Sequence, residues 1–124
     1  MTHLNLFVQY QQSMDMRELG FDKPCLGLYH NDKMFVIQST TSHNQYYGQI
    51  CSAPLYQQAF SWFREKYKLH GGIHQSGDMD DRYTFRINFT CYPHNSVGRG
   101  NEYSYPEAEL ECLKKLILIV KQKL

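Results

Sequence analysis

The chain has 124 residues and a formal net charge of +1, with Lys+Arg 13 against Asp+Glu 12. That length fits one domain, residues 1–124, and the near-neutral balance excludes the dense basic surface that non-specific binding to a DNA or RNA polymer requires. Hydrophobic residues make up 42% and charged ones 20%, the profile of a packed domain and not of a disordered segment.

Gln9 to Leu19 read as a first helix, with Tyr10, Met14 and Met16 turned inward. Gly20 stands where a left-handed C-terminal cap belongs, and Phe21 is the apolar residue such a cap folds back onto its helix. CLGLYH and KMFVIQST follow as two strands joined by a tight turn at Asn31 and Asp32. TSHNQYYGQI is less regular and reads either as a loop or as an edge strand.

In SAPLYQQAFSWFREKYKLHGG, Ser52 can cap a helix whose first turn accepts Pro54, and Tyr56, Ala59, Phe60, Phe63 and Tyr67 fall on one face. His70, Gly71 and Gly72 end it. GIHQS and RYTFRINFTCY then form a second strand pair. In it Tyr83, Phe85, Ile87, Phe89 and Cys91 alternate with Arg82, Thr84, Arg86, Asn88 and Thr90, so one face is apolar and the other polar.

The last helix opens at Ser104, which forms an S-x-x-E capping box with Glu107 around Pro106. Its wide apolar stripe, Cys112, Leu113, Leu116, Ile117, Val120 and Leu124, is that of a helix lying across a sheet. The order is α-ββ-α-ββ-α, and the expected fold is α+β, an antiparallel sheet with helices packed on one face. The two ββα stretches, each helix opening with Ser-x-Pro, read either as a diverged repeat or as shared cap chemistry.

Cys25, Cys51, Cys91 and Cys112 include no CxxC pair, which fits reduced, mostly buried thiols and argues against zinc. No basic-then-apolar leader opens the chain, and the longest apolar run, Leu116 to Val120, is too short to cross a bilayer. A cytoplasmic protein with no membrane partner is expected.

LGFDKPCLGLYH, APLYQQAFSWFREKY and EAELECLKKLILIVKQKL together resemble a family of small proteins encoded by phages, prophages and other mobile elements of gut bacteria. The resemblance runs from about Leu19 to the C-terminus and implies a phage-type protein in the host bacterial cytoplasm. Small phage proteins without enzyme motifs commonly inhibit host proteins or host antiviral defence, some by sequestering nucleotide signals without cleaving them. The resemblance assigns no catalytic residue.

Phosphate recognition needs backbone N–H groups and a cation, and a nucleotide base needs aromatic faces. Gly98, Arg99 and Gly100, followed by Tyr103 and Tyr105 at the mouth of the last helix, carry these groups within a few residues. The competing reading is a slack loop with a solvated arginine, and Glu102 and Glu107 nearby oppose an anion. Arg82 and Arg86, at alternate positions on the polar strand face, form either a bidentate anion clamp or ordinary pairs with Asp78, Asp80 and Asp81. His94 and Tyr47 complete the candidate ligand set. So does Trp62, which lies off the main helical stripe and is either a core residue or a stacking anchor.

His70 and His74 share a face if they lie in a strand, but spacing offers them no third metal ligand. No Ser or Cys stands in a nucleophile motif. The expectation is a non-enzymatic binding protein with no cofactor and no metal. Its partner would be a small anionic or nucleotide-like ligand, with the site completed across a homodimer. The alternative is a protein-interaction module that inhibits a host enzyme through an exposed aromatic patch.

Overall fold

The computed structural model describes residues 6–23, 25–30, 35–41, 49–75, 82–90, 96–99 and 104–123. The elements run α1 (Tyr10–Glu18), β1 (Cys25–His30), β2 (Phe35–Thr41), β3 (Gln49–Ala53), α2 (Tyr56–Tyr67), β4 (Leu69–Gln75), β5 (Tyr83–Phe89), β6 (Ser96–Arg99) and α3 (Tyr105–Lys123). The fold is α+β, and each expected strand pair gains a third strand. Two three-stranded antiparallel sheets form, ordered β2-β1-β3 and β4-β5-β6, where one sheet was expected. The chain gathers into two compact units, Met1–Ala59 and Phe60–Leu124, with the boundary inside α2. Among the described residues no helix is long and apolar enough to cross a membrane.

The sheet orders bear on the repeat. In the first unit the first strand, β1, is central, whereas in the second the middle strand, β5, is central. The two sheets therefore differ in topology, which argues against a repeat, and the two Ser-x-Pro stretches do not share a role either, because Ser52 lies in β3 while Ser104 precedes α3.

In the first unit α1 ends in the expected left-handed cap. Gly20 has φ 101, its N–H donates to Arg17 O at 3.0 Å, and the Phe21 N–H donates to Met16 O at 3.0 Å. These two bonds make a Schellman motif, and its apolar clasp is present because Met16 and Phe21 are both buried. The inward face differs from expectation. Gln12 and Ser13 are buried, while Tyr10 and Met14 are only half-buried. The Ser13 hydroxyl donates to Val8 O at 3.3 Å, which compensates its burial, and the Tyr29 hydroxyl donates to the same carbonyl at 2.9 Å. Ser52 is not a helix cap. It lies within β3, paired with Leu28, and α2 starts later, with the Ala59 N–H donating to Leu55 O at 3.0 Å.

In the second unit α2 ends one turn earlier than expected. Lys68 takes the left-handed conformation with φ 57 and redirects the chain into β4, so Gly71 and Gly72 are strand residues and do not end the helix. β4 and β5 pair without interruption from Leu69↔Phe89 to Gln75↔Tyr83. Phe85 and Ile87 are buried as the alternation requires, and α3 packs on β4 and β5 with Ala108, Cys112, Leu113, Leu116 and Val120 buried. Each such large aliphatic side chain contributes roughly 1.5–3 kcal/mol by leaving water. A Cβ on Gly71 would meet Cys112 Sγ at 2.9 Å and Leu116 Cδ1 at 3.2 Å. Glycine at 71 is thus what lets the helix lie this close to the strand.

Candidate functional site

The two groups of arginines that the sequence places apart are brought together by sheet pairing. Gly98 and Arg99 belong to β6 and not to a loop, with Ile87↔Gly98 and Arg86↔Arg99 as register partners. A cradle made of a mobile glycine loop and a helix mouth is therefore replaced by a strand edge. Gly100, Tyr103, His94 and Tyr47 lie outside the described residues, as do Asp78, Asp80 and Asp81.

Register extends the row to β4, where Gly72 pairs with Arg86. Gly72, Arg86 and Arg99 thus form one line across all three strands. Paired residues of an antiparallel ladder share a face, and successive residues alternate between faces. Ile87 and Phe85 face α3, so Arg86 belongs to the opposite, polar face. It is exposed there, and no ion-pair partner stands beside it among the described residues. Arg82, one residue before β5, is exposed and has the same alternation.

His70 and His74 flank this line. They pair with Asn88 and Thr84 respectively, and their rings turn in over Gly72. A Cβ there would lie 3.5 Å from His74 Nε2 and 3.6 Å from His70 Nε2. The glycine leaves a shallow seat between two imidazoles, with the Arg86 position alongside. No Asp or Glu occurs in β4, β5 or β6, so the strands themselves carry cationic or titratable nitrogen and no carboxylate. Such a surface favours anions. A metal ion would face two imidazoles and a neighbouring guanidinium that repels it, and no group of three or more His, Cys, Asp or Glu able to hold a metal occurs among the described residues.

Two expected site residues lie elsewhere. Tyr105, 43% exposed, stands edge-on to Tyr83 at 5.1 Å. Tyr83 shares the α3 side of β5 with Phe85 and Ile87, so Tyr105 is on the face away from Arg86. Burial, with Glu109 and Tyr83 adding to it, holds the Tyr105 phenol above its ordinary value. Trp62 is only 7% exposed and packs edge-on against Phe63 at 5.1 Å and Tyr67 at 5.6 Å. It is a core residue and not a surface anchor, because the apolar face of α2 is wide enough to include it.

Several charges on α2 and α3 have local partners. Lys66 Nζ lies 5.0 Å above the Trp62 ring, and Arg64 Nη2 donates to Ser61 Oγ at 3.1 Å. The Glu107 carboxylate accepts from the Ser104 hydroxyl at 2.8 Å and from its N–H at 3.1 Å, which lowers its pKa. This is the expected box, with the serine hydroxyl donating to the carboxylate. Glu109, half-buried, is pushed up to about 7 by desolvation.

The described cysteines supply no nucleophile. Cys25, Cys51 and Cys112 are buried and unbridged, and desolvation raises their thiols to about 12, 11 and 12, far from the thiolate state that chemistry needs. Cys91 lies outside the described residues.

Of these candidate residues, His70 and His74 were weighed from sequence only as metal ligands, and Gly72 only as part of a helix stop. The available signal was HGGIH read at strand parity, two imidazoles either side of a glycine on the polar face of an acid-free strand. Reading the glycines as a helix stop hid it. No known family model, curated protein or solved structure matches this chain, so the chemistry of the site is argued from its geometry.

Proposed function

We propose that the chain is a non-enzymatic binding protein for a small anionic, nucleotide-like ligand, seated on the polar face of β4, β5 and β6. The observation that carries the reading is the Arg86↔Arg99 register. Like charges at directly paired positions destabilise a sheet, and a bound anion would offset that cost through charge-assisted hydrogen bonds. The resemblance to phage-encoded proteins gives the biological setting. There the protein would act against host antiviral defence by sequestering a nucleotide signal, and the second copy of a homodimer would complete the site along β6, which is an edge strand. The alternative of an aromatic patch that inhibits a host enzyme loses its main anchor with Trp62 in the core.

A thermal-shift and calorimetric screen against cyclic mononucleotides, cyclic dinucleotides and ADP-ribose derivatives tests the reading. A true ligand at a hundred times its Kd stabilises the protein by about 2.7 kcal/mol. Arg86→Gln should abolish that shift while leaving the unliganded protein as stable as the parent or more so. Absence of any shift across the panel, or undiminished binding by Arg86→Gln, would sink the proposal.

A further inference from the structure

We infer that the seat over Gly72, between His70 and His74, takes a phosphate group of the ligand, and that the two imidazoles donate hydrogen bonds to its oxygens. The inference rests on the proposed anion-binding face and adds to it a specific subsite.

Three observations converge on the seat. Both Nε2 atoms point into the same space, 3.5 and 3.6 Å from the position a side chain at 72 would occupy. Neither imidazole has a hydrogen-bond partner among the described residues. The floor is the backbone of a glycine, which allows an oxyanion to approach as closely as a peptide group permits. A phosphate there would receive N–H donation from two sides and lie beside the position of Arg86, the register partner of Gly72.

On β4 the polar face holds His70, Gly72 and His74. On β5 it holds Thr84, Arg86 and Asn88, with Arg82 just before the strand, and on β6 Arg99 is the register partner of Arg86. The described groups around the seat include no acid, so none of them repels an anion, and the Arg86 guanidinium adds attraction.

A cyclic dinucleotide is a suitable probe because it carries two phosphodiesters. Binding would be measured by titration calorimetry for the parent chain, the His70→Ala/His74→Ala double variant and Gly72→Ala. The double variant should bind about tenfold or more weakly, as the loss of two hydrogen bonds requires, and Gly72→Ala should also lose affinity because its methyl group fills the seat. Parent-like affinity in the double variant or in Gly72→Ala overturns the seat while the arginine reading stands. A cyclic dinucleotide that does not bind, together with silence across the wider nucleotide panel, removes both. Circular dichroism of each variant separates lost binding from lost fold.

Discussion

Gly71 and Gly72 are adjacent, carry the same side chain and lie in the same strand, yet the structure assigns opposite consequences to replacing them with alanine. At 71 the added methyl carbon would sit 2.9 Å from Cys112 Sγ, 3.2 Å from Leu116 Cδ1 and 3.8 Å from Leu116 Cγ. Cys112 and Leu116 are fully buried, so neither can swing into solvent, and α3 must shift or repack. Overpacking of this kind costs roughly 1–3 kcal/mol. Against it stands the reduced entropy of the unfolded chain, worth about 0.4–1 kcal/mol where the backbone suits alanine. Neither glycine has a positive φ, so that gain applies to both. The balance for Gly71→Ala is a loss of about 1–2 kcal/mol. At 72 the nearest atoms are 3.5 Å or farther, ordinary contact, so Gly72→Ala should be neutral or stabilising by up to about 1 kcal/mol. Differential scanning calorimetry would read the difference, since each kcal/mol moves the Tm of a unit this size by about 4–8 °C. The cause is checked by adding Cys112→Ala to each background. Removing the sulfur should cost less in the Gly71→Ala chain than in the parent, with a coupling of about 0.5 kcal/mol or more. Equal stability of the two single variants, or zero coupling with Cys112, would refute the claim that α3 rides on the bare backbone of Gly71.

Two further expectations concern stability alone. Lys68 holds φ 57 at the end of α2, a conformation costing a side-chain-bearing residue roughly 1–2 kcal/mol. After allowing for glycine's greater freedom in the unfolded chain, Lys68→Gly should raise stability by about 0.5–1 kcal/mol, and a fall in urea midpoint would contradict the assignment. Glu109, raised to about 7 from 4.5, is harder to ionise folded than unfolded. Stability should therefore be highest below pH 4.5 as far as this group is concerned, decline as pH rises towards 7 and level off above. Glu109→Gln should remove that slope and stabilise the protein at pH 8 by on the order of 1 kcal/mol, well below full linkage because a half-buried carboxylate is partly screened. An unchanged pH profile in the variant would count against it.

The elements legible in the sequence are those whose local chemistry determines them. Gly20 and Phe21 announced the end of α1 because a left-handed cap needs both a glycine and an apolar residue to clasp. The alternation through β5 was readable because apolar Phe85 and Ile87 face α3 while Thr84, Arg86 and Asn88 occupy the other face. What remained hidden depended on partners remote in sequence. SVGR carries no alternation, and only pairing with β5 makes it a strand. Ser52 before Pro54 has the look of a helix cap, but its backbone is claimed by the ladder with β1. Gly71 and Gly72 looked like a helix stop because local propensity cannot show that a helix forty residues later needs the space over one of them. Arg99 was singled out for its glycine neighbours, which misidentified its setting, while its pairing with Arg86 is what keeps it in the candidate site.

The polar face of β4, β5 and β6 is also poorly explained as ordinary solvated surface. An exposed sheet face gains from opposite charges at paired positions, and the chain has acids available, Asp+Glu 12 in all. Yet the three strands hold none, and the one directly paired set of charges is arginine with arginine. On the other side of the same sheet each feature has a packing reason: Gly71 admits α3, Phe85 and Ile87 fill the core, and Tyr83 meets Tyr105. On the polar side, the nearest atoms to a Cβ at Gly72 among the described residues belong to the two imidazoles that lean over it. A glycine between two imidazoles and an arginine pair in register with it are the features that the proposed anion would account for.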